Sequence, residues 1–203
     1  MTEGSCERWM LWIDGVGALL LFCGNPVVIG GPVQSAEAAD LCLMAPISRR
    51  HASLLQKDDS WFFHPHQTSS VGGQLVTDER GLHSGDVIQL GEKVRLKFRI
   101  PSVLSASAVL DLQSFHQPSQ SVSGVLLMAD TILLGPRSDH HVCCPEWPGL
   151  IVLFRRDGRL CCRSDVSLKL NDQPLQQNTE LSDSAVISAG DFRFRLQRLS
   201  TFG

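Results

Sequence analysis

The sequence lacks the features that would indicate a nucleic acid or a membrane as partner. Its 203 residues carry a formal net charge of −3, which argues against the basic surface that binding to phosphate backbones requires. No segment approaches the roughly 20 apolar residues that a membrane-spanning helix needs. The N-terminal apolar run is interrupted by Asp14, Gly15 and Gly17, so it does not match a signal peptide. We therefore expect a cytoplasmic protein.

The seven cysteines also lack the spacing of a disulfide framework, which favours a reducing compartment. Two adjacent pairs, Cys143–Cys144 and Cys161–Cys162, lie near His140 and His141 and suggest a zinc site as an alternative. Adjacent residues of a strand point to opposite faces, however, so such a pair is poorly placed to chelate one ion. We interpret these cysteines as small buried apolar residues and expect no metal or other cofactor.

Motifs for catalysis are absent as well. The sequence contains no Gly-x-Ser-x-Gly elbow, no phosphate-binding P-loop, no metal-ligand spacing and no carboxylate pair at a strand end. Nucleophilic, phosphoryl-transfer and metal chemistry therefore lack their residues, and we predict that the protein is not an enzyme. A stoichiometric zinc content would contradict this prediction.

What the sequence does contain is strand periodicity. Residues 93–100 (KVRLKFRI) and 192–196 (FRFRL) alternate strictly between apolar and cationic side chains, as half-buried antiparallel strands do. Helical spacing recurs over no long window, and Gly, Pro or Asp interrupts about every ten residues. With 43% apolar residues, enough to bury real cores, the pattern predicts an all-β fold made of sandwiches.

The pattern occurs twice along the chain. The aligned pairs are Gly30 with Gly135, Asp59 with Asp157, Leu82 with Leu181, Val87 with Val186 and Gly91 with Gly190. Similarity at half the chain length indicates a duplicated domain. Residues 101–108 (PSVLSASA) are typical of a linker, and residues 113–123 are predicted to form a loop inside the second half. We predict two domains, residues 1–104 and 105–203.

Three motifs of the first half stand in a fixed order: Gly-Gly at 30–31, SRRHA at 48–52 and LHSGDVIQLG at 82–91. Together they make residues 7–100 resemble a forkhead-associated (FHA) domain, whose family pattern runs Gly-Arg, Ser-Arg-x-His-Ala, Asn-Gly-Thr and Leu-x-x-Gly-Asp-x-Ile-x-Leu-Gly. The resemblance implies two FHA-like antiparallel β-sandwiches in tandem. It also implies that loops at one end of the sandwich bind phosphothreonine in a partner protein, without catalysis.

The resemblance assigns a role to each residue of the SRRHA motif. Ser48 would donate its hydroxyl to the phosphate, Arg49 would contribute a cation or a backbone contact, and His51 would support the loop from inside. Arg50 would project to the other side of the strand. A doubly charged phosphate favours donors that are held in place before it arrives, which agrees with this division. Among the other motif residues, Gly30, Gly85 and Asp86 are expected to be structural, with Asp86 accepting backbone hydrogen bonds in a turn.

Four positions depart from the family pattern. Gly31 stands where the family has Arg, Val71 and Gly72 stand where it has Thr or Ser followed by Asn, and Gln74 replaces the final Thr. Each lost contact would remove about 1.5–3 kcal/mol if it was a hydrogen bond to a charged group. We therefore expect weak or altered phosphothreonine binding.

The second half keeps the strand pattern without the binding motifs. Residues 146–149 (EWPG) stand opposite SRRH in the alignment, which places a carboxylate where a phosphate would need a donor. This half resembles a degenerate FHA domain. Trp147 and Pro148 would either fill a loop from inside or face a partner.

Two hypotheses about function follow. In the first, the chain is an interaction module that binds a threonine-phosphorylated protein or another component of a Ser/Thr-kinase pathway. In the second, both halves form a scaffold that works independently of phosphorylation, with contacts along strand edges or between domains. The alternative reading of Ser48 to His51 is structural: Ser48 caps the loop, the arginines are solvated and His51 is a hydrogen-bonded core residue.

Overall fold

A computed structural model describes residues 6–32 and 39–199. In these ranges the chain forms strands and no helix, as the sequence predicts for an all-β protein. The first half contains eleven strands: β1 (Arg8–Ile13), β2 (Gly17–Phe22), β3 (Val27–Gly30), β4 (Leu41–Cys42), β5 (Ala52–Lys57), β6 (Ser60–Pro65), β7 (Ser69–Val71), β8 (Gln74–Val76), β9 (Arg80–Leu82), β10 (Val87–Leu90) and β11 (Val94–Arg99).

The second half contains eleven strands in the same order. They are β12 (Ala108–Leu112), β13 (Gly124–Leu127), β14 (Thr131–Gly135), β15 (Val142–Cys143), β16 (Ile151–Arg156), β17 (Arg159–Ser164), β18 (Lys169–Leu170), β19 (Gln173–Pro174), β20 (Thr179–Glu180), β21 (Val186–Ala189) and β22 (Phe192–Leu199). The alternating segments form β11 and β22, and in both strands the apolar side chains are buried while the Arg side chains face outward.

Three sheets make up the fold. Two five-stranded sheets have the orders β4-β3-β5-β6-β9 and β15-β14-β16-β17-β20, and each is built from one half of the chain. The third sheet has twelve strands from both halves, in the order β19-β18-β21-β22-β1-β2-β13-β12-β11-β10-β7-β8. Most pairs are antiparallel, but β3–β4, β14–β15 and β2–β13 are parallel.

The twelve-stranded sheet exchanges hairpins between the halves. Strand β11 pairs with β12 of the second half, and β22 pairs with β1 of the first. The two hairpins meet where β2 runs parallel to β13, with pairs from Leu19–Gly124 to Phe22–Leu127. The two residues of each pair are separated by the same number of residues as the aligned Gly30 and Gly135. Each half therefore completes its sheet with the first hairpin of the other half.

Both hydrophobic cores depend on the exchanged hairpins. The first core contains Trp61 of the first half and Leu110 of the exchanged strand β12, whereas the second contains Phe194 of the second half and Leu21 of the exchanged strand β2. Leu20, next to Leu21 in β2, lies in the first core. Adjacent residues of a strand point to opposite faces, so β2 contributes to a core on each side of the long sheet. The boundary at residues 104 and 105 stays a prediction, and the units on its two sides share one sheet.

Turn geometry corrects one part of the sequence alignment. Asp58 and Asp157 occupy equivalent turns after β5 and β16, with φ angles of 50° and 52°. The predicted pairing of Asp59 with Asp157 is therefore wrong by one residue, because the alignment matched the second of two aspartates. Counting back from the turns aligns Ser48 with Trp147 rather than with Glu146.

The cysteines and histidines proposed as alternative zinc ligands have other contacts. Cys144 and Cys162 lie in the second core, where burial raises the pKa of each thiol to about 12. The buried His141 accepts a hydrogen bond from the Leu133 N–H at Nδ1 and donates one to the Ser107 carbonyl from Nε2, both 3.1 Å long. Among the described residues, no group of three or more His, Cys, Asp or Glu side chains is arranged to hold a metal ion.

The interrupted apolar run near the N-terminus forms the hairpin β1–β2. Within the ranges that the structure describes, no helix has the length and apolar character to cross a bilayer.

Candidate functional site

The SRRHA motif joins the loop after β4 to the start of β5. Ser48, Arg49 and Arg50 are exposed, whereas His51 is 4% exposed. His51 is buried because it directly precedes strand β5, which begins at Ala52. The side chain of Ala52 lies in the first core. The motif therefore presents polar side chains at the rim of the sandwich and anchors them through the residue that follows.

His51 links three segments of the rim. Its Nδ1 accepts a hydrogen bond from the Ser48 N–H (3.3 Å), and its Nε2 donates to the Thr68 carbonyl (3.1 Å). Its own backbone N–H donates to Ile29 of β3, and its carbonyl accepts from His66 and Gln67. Because both ring nitrogens and both backbone groups are used, His51 holds the Ser48 loop and the β6–β7 loop against β3. This is the buried, hydrogen-bonded position that the sequence predicts for it.

Ser48 and Arg49 remain available to a ligand. Within the described part of the chain, the Ser48 hydroxyl and the Arg49 guanidinium form no hydrogen bond or ion pair. Their backbone is nevertheless fixed, because the Gly31 N–H donates to the Ser48 carbonyl (2.9 Å). The rim thus presents two donor side chains without partners on a backbone that is fixed by its hydrogen bond to Gly31.

Gly30 and Gly31 are required by the close approach of this loop. A Cβ atom at Gly30 would lie 1.8 Å from the Arg49 carbonyl oxygen, and one at Gly31 would lie 2.4 Å from that of Ile47. Both neighbours are backbone atoms, so the loop would have to move to admit any side chain. Position 31 therefore lacks the Arg of the family pattern, and the loop that carries Ser48 also leaves no space there for any side chain.

Arg50 is exposed, and its charge acts on Asp40 and His66. Burial raises the pKa of the Asp40 carboxyl, an effect that Arg8 and Arg50 partly oppose. Burial also lowers the pKa of His66, and the charges of His64, Arg50 and His51 lower it further.

The residues predicted at the Asn-Gly-Thr positions lie in and after β7. Val71 is buried in β7, and Gly72 and Gly73 form the two-residue turn to β8 with φ angles of 60° and 77°. Strand β7 begins next to His51 and ends at this turn, so Gly72 and Gln74 lie about 10 Å farther along the strand. A Gly-Gly pair between two short strands is itself a signal for a tight hairpin turn.

Residues 66–68 connect β6 to β7 and lie next to His51. The His66 ring is hydrogen-bonded to the Ser53 hydroxyl (2.7 Å), and the Ser69 hydroxyl donates to the Gln67 carbonyl (2.8 Å). Gln67 and Thr68 are exposed beside the Ser48 loop that His51 anchors. A ligand at Ser48 and Arg49 would therefore meet Gln67 and Thr68, which the sequence analysis did not identify.

A loop of the second half also borders this region. Met44, four residues before Ser48, donates its backbone N–H to the Gln117 carbonyl (2.8 Å), and Leu43 forms a β-bridge with Pro118. Phe115 in the same loop is fully exposed. The predicted loop 113–123 is therefore not confined to its own half, because the hairpin exchange carries it to β4.

The last motif forms the turn that the sequence predicts. Gly85 has a φ angle of 102°, and the Asp86 carboxylate accepts a hydrogen bond from the His83 N–H (2.8 Å). Both residues lie at the β9–β10 connection, where they join two strands of the first half.

Among the described residues of the second half, the position equivalent to Ser48 is not an exposed donor. Trp147, at the position equivalent to Ser48, is 5% exposed and stacks on Phe192 with a centroid distance of 4.6 Å. Of the two predicted alternatives for Trp147, the structure shows the one in which it fills the loop from inside.

Comparison with known proteins agrees with these motifs. Residues 29–91 match the family model of the FHA domain. This segment is therefore similar to an FHA domain. The match begins in β3 and ends just after β10, so it includes the SRRHA motif, the β6–β7 loop and the Gly85–Asp86 turn.

A solved structure described as "Rv0020c_FHA Structure" is similar to part of the chain, with 22% sequence identity and a TM-score of 0.30. The similarity covers 45% of this chain and 91% of that chain. No curated protein matches the chain. FHA domains are protein–protein interaction modules rather than enzymes, and they bind proteins that contain phosphothreonine.

Proposed function

We propose that the FHA-like domain of this chain binds a threonine-phosphorylated segment of a partner protein, through the Ser48 hydroxyl and the Arg49 guanidinium. The observation that carries this proposal is that both side chains are exposed and unengaged on a loop that His51 fixes from behind. Donors that are already oriented lose little freedom when the phosphate arrives, and a charge-assisted hydrogen bond is roughly twice as strong as a neutral one.

The proposed binding is weak. Gly31 supplies no cation and its position is closed to a side chain, so the phosphate would lack one of the donors in the family pattern. We expect a dissociation constant of about 10 μM to 1 mM, which corresponds to about −7 to −4 kcal/mol. Such an affinity suits a transient partner, and we propose that this partner belongs to a Ser/Thr-kinase pathway.

We further propose that residues 1–104 and 105–203 are two FHA-like units, the second of which has lost its binding rim. The equal number and order of strands in the two halves support this proposal, as does the symmetric pairing of β2 with β13. A cytoplasmic location is also proposed, and it is supported by the free thiols of all seven cysteines.

The second candidate function is a scaffold that acts without phosphate. Two observations favour the scaffold function. The lack of space for a side chain at Gly31 weakens the phosphate site. The shared twelve-stranded sheet makes a large rigid platform. Calorimetric titration of the full chain with one peptide in phosphorylated and unphosphorylated forms separates the two functions.

The phosphate-binding proposal expects heat from the phosphorylated peptide alone. This signal should be abolished by the double variant Ser48→Ala/Arg49→Ala. It should be retained by Glu146→Ala, an exposed position of the second half. Equal affinities for the two peptides would leave the scaffold function in its place.

A further inference from the structure

The outer face of β1, β21 and β22 contains a depression of about 500 Å³ in the second half of the fold. It is lined by Trp12, Asp14, Val186, Arg193, Arg195 and Gln197. We call it the Trp12–Arg195 groove. It is built from other strands than the loops that present Ser48 and Arg49, so it is independent of the proposed phosphate site.

Three side chains form a row across the floor of the groove. In the strand ladder Trp12 pairs with Arg195, and Arg195 pairs with Val186, so the three residues share one face of the sheet. The indole of Trp12 is 46% exposed, whereas Trp9, Trp61 and Trp147 are each at most 5% exposed. An indole that the fold leaves open to solvent beside a guanidinium is the kind of anchor that protein interfaces use most.

The equivalent place in the first half is neutralised by a carboxylate. There the ladder pairs Val87 with Lys97 and Lys97 with Asp111, and Asp111 also forms a two-pronged ion pair with Arg99. In the second half Trp12 stands where Asp111 stands in the first, since β1 corresponds to β12. The substitution of an indole for a carboxylate removes the counter-charge and adds an apolar surface at the same point.

The cations of the groove are left with little compensation. Arg195 forms no ion pair or hydrogen bond through its side chain in the described part of the chain. Arg193 has Asp14 at 3.5 Å, but both side chains are more than half exposed, and such a surface pair contributes little. The groove is therefore locally positive on a chain whose net charge is −3.

We propose that the Trp12–Arg195 groove binds an acidic, unphosphorylated segment of a partner protein. An apolar side chain of the segment would lie on the Trp12 ring, and a neighbouring carboxylate would receive paired hydrogen bonds from Arg195. A guanidinium matches the geometry of a carboxylate through two parallel N–H groups. The net negative charge of the chain argues against nucleic acid in the same groove.

The test uses the full chain and a fluorescently labelled synthetic peptide in which Asp and Glu residues flank a central Phe. Two control peptides replace the acidic residues with Asn and Gln, or the Phe with Ser. Fluorescence anisotropy should show binding at least about tenfold tighter for the acidic Phe peptide than for either control. The emission of the exposed Trp12 should change during the same titration.

Variants of the protein locate the site. Arg195→Glu and Trp12→Ala should each weaken binding by about tenfold or more. The matched control Lys97→Glu lies at the equivalent position of the first half and should change it by less than about twofold. If Trp12→Ala fails to fold, Arg195→Gln changes only an exposed side chain and tests the same contact. The double variant Ser48→Ala/Arg49→Ala should bind the peptide as the unchanged chain does.

Several results would overturn the proposal. Equal affinity for the three peptides would show that neither the charge nor the ring is recognised. Loss of binding in Ser48→Ala/Arg49→Ala, with binding kept in Arg195→Glu, would place the peptide on the phosphate rim. Tighter binding of anionic lipid vesicles or of single-stranded DNA, lost in Arg195→Glu, would assign the groove to a membrane or a nucleic acid.

Discussion

The carbonyl oxygen of Ile47 lies 2.4 Å from the point where the side chain of residue 31 would begin, so Gly31 and the Ser48 loop exclude any larger residue between them. Replacing Gly31 with Ala should push the loop outward or strain it. We expect the free energy of unfolding to fall by about 1–3 kcal/mol, the usual cost of overpacking. Urea denaturation followed by tryptophan fluorescence measures this change.

Gly81 provides the matched control for this prediction. It also lies in the first half, but the nearest atom to a Cβ there is Phe62 Cε1 at 3.9 Å, an ordinary contact. Gly81→Ala should therefore leave stability nearly unchanged. If both variants unfold at the same urea concentration as the parent chain, the Ser48 loop does not press on Gly31.

Binding of a phosphothreonine peptide should depend strongly on salt. Ser48 and Arg49 are exposed, and at high ionic strength the charge attraction between a guanidinium and a phosphate is screened within a few ångströms. Raising sodium chloride from about 0.05 M to about 0.5 M should weaken binding several-fold, as measured by calorimetric titration. An affinity that does not change with salt would mean that the peptide is held by apolar contacts.

Replacing His51 with Ala should lower the free energy of unfolding by about 1–3 kcal/mol, because the variant removes the acceptor of the Ser48 N–H and one of the two donors to the Thr68 carbonyl. Thermal and urea unfolding measure the effect. The exposed His83 is the control, and His83→Ala should cost much less. A similar loss in the two variants would contradict the bracing role of His51.

Acid should destabilise the second core through His141. Burial lowers the pKa of this imidazole, so at a pH near the ordinary histidine value the unfolded chain binds more protons than the folded chain. The stabilisation is complete above a pH of about 6.5 and is lost as the pH falls through the lowered pKa. Urea unfolding between about pH 8 and pH 5.5 should show the decline.

His141→Gln removes the titration of this side chain, so its stability should vary less over the same pH range. The pKa of His66 is also lowered, mainly by burial, so His66 would still cause part of the dependence of stability on pH. An unchanged slope in His141→Gln would show that other groups cause the acid sensitivity.

The exchanged hairpins predict that both halves unfold together. Leu54 and Leu153 occupy equivalent, fully buried positions in β5 and β16 of the two cores. Leu54→Ala and Leu153→Ala should each cost about 2–5 kcal/mol and shift one common transition in calorimetry. Two separate transitions, with each variant moving only one of them, would show that the cores unfold independently.

The strands could be predicted from the sequence because each carries its own evidence. The alternation of residues 93–100 and 192–196 fixes which face of β11 and β22 is buried, whatever their neighbours are. The burial of His51 follows in the same way from its place directly before a strand. The hairpin exchange has no such local signal. The hairpins β1–β2 and β12–β13 are equivalent, so the sequence of β11 does not indicate whether it pairs with β1 or with β12.

The candidate site was predicted in part for the same reason. Ser48 and Arg49 are contiguous with the strand that positions them, whereas the β6–β7 loop reaches the rim from elsewhere in the chain. The alignment gave the Asn-Gly-Thr positions to residues 71–74 because it matched glycines. The Gly72–Gly73 pair forms the turn to β8, and Gln67 and Thr68 became visible only when the loops were seen together.

The pairing of β1 with β22 also determines how the fold responds to mechanical force. Arg8 and Leu199 face each other at one end of this antiparallel pair, so a pull applied through these two residues loads a single ladder position first. The strands would then separate one pair after another toward Ile13 and Phe194, as a zipper opens. Under tension applied at Arg8 and Leu199, the pairing of β1 with β22 is the part of the twelve-stranded sheet that is loaded first.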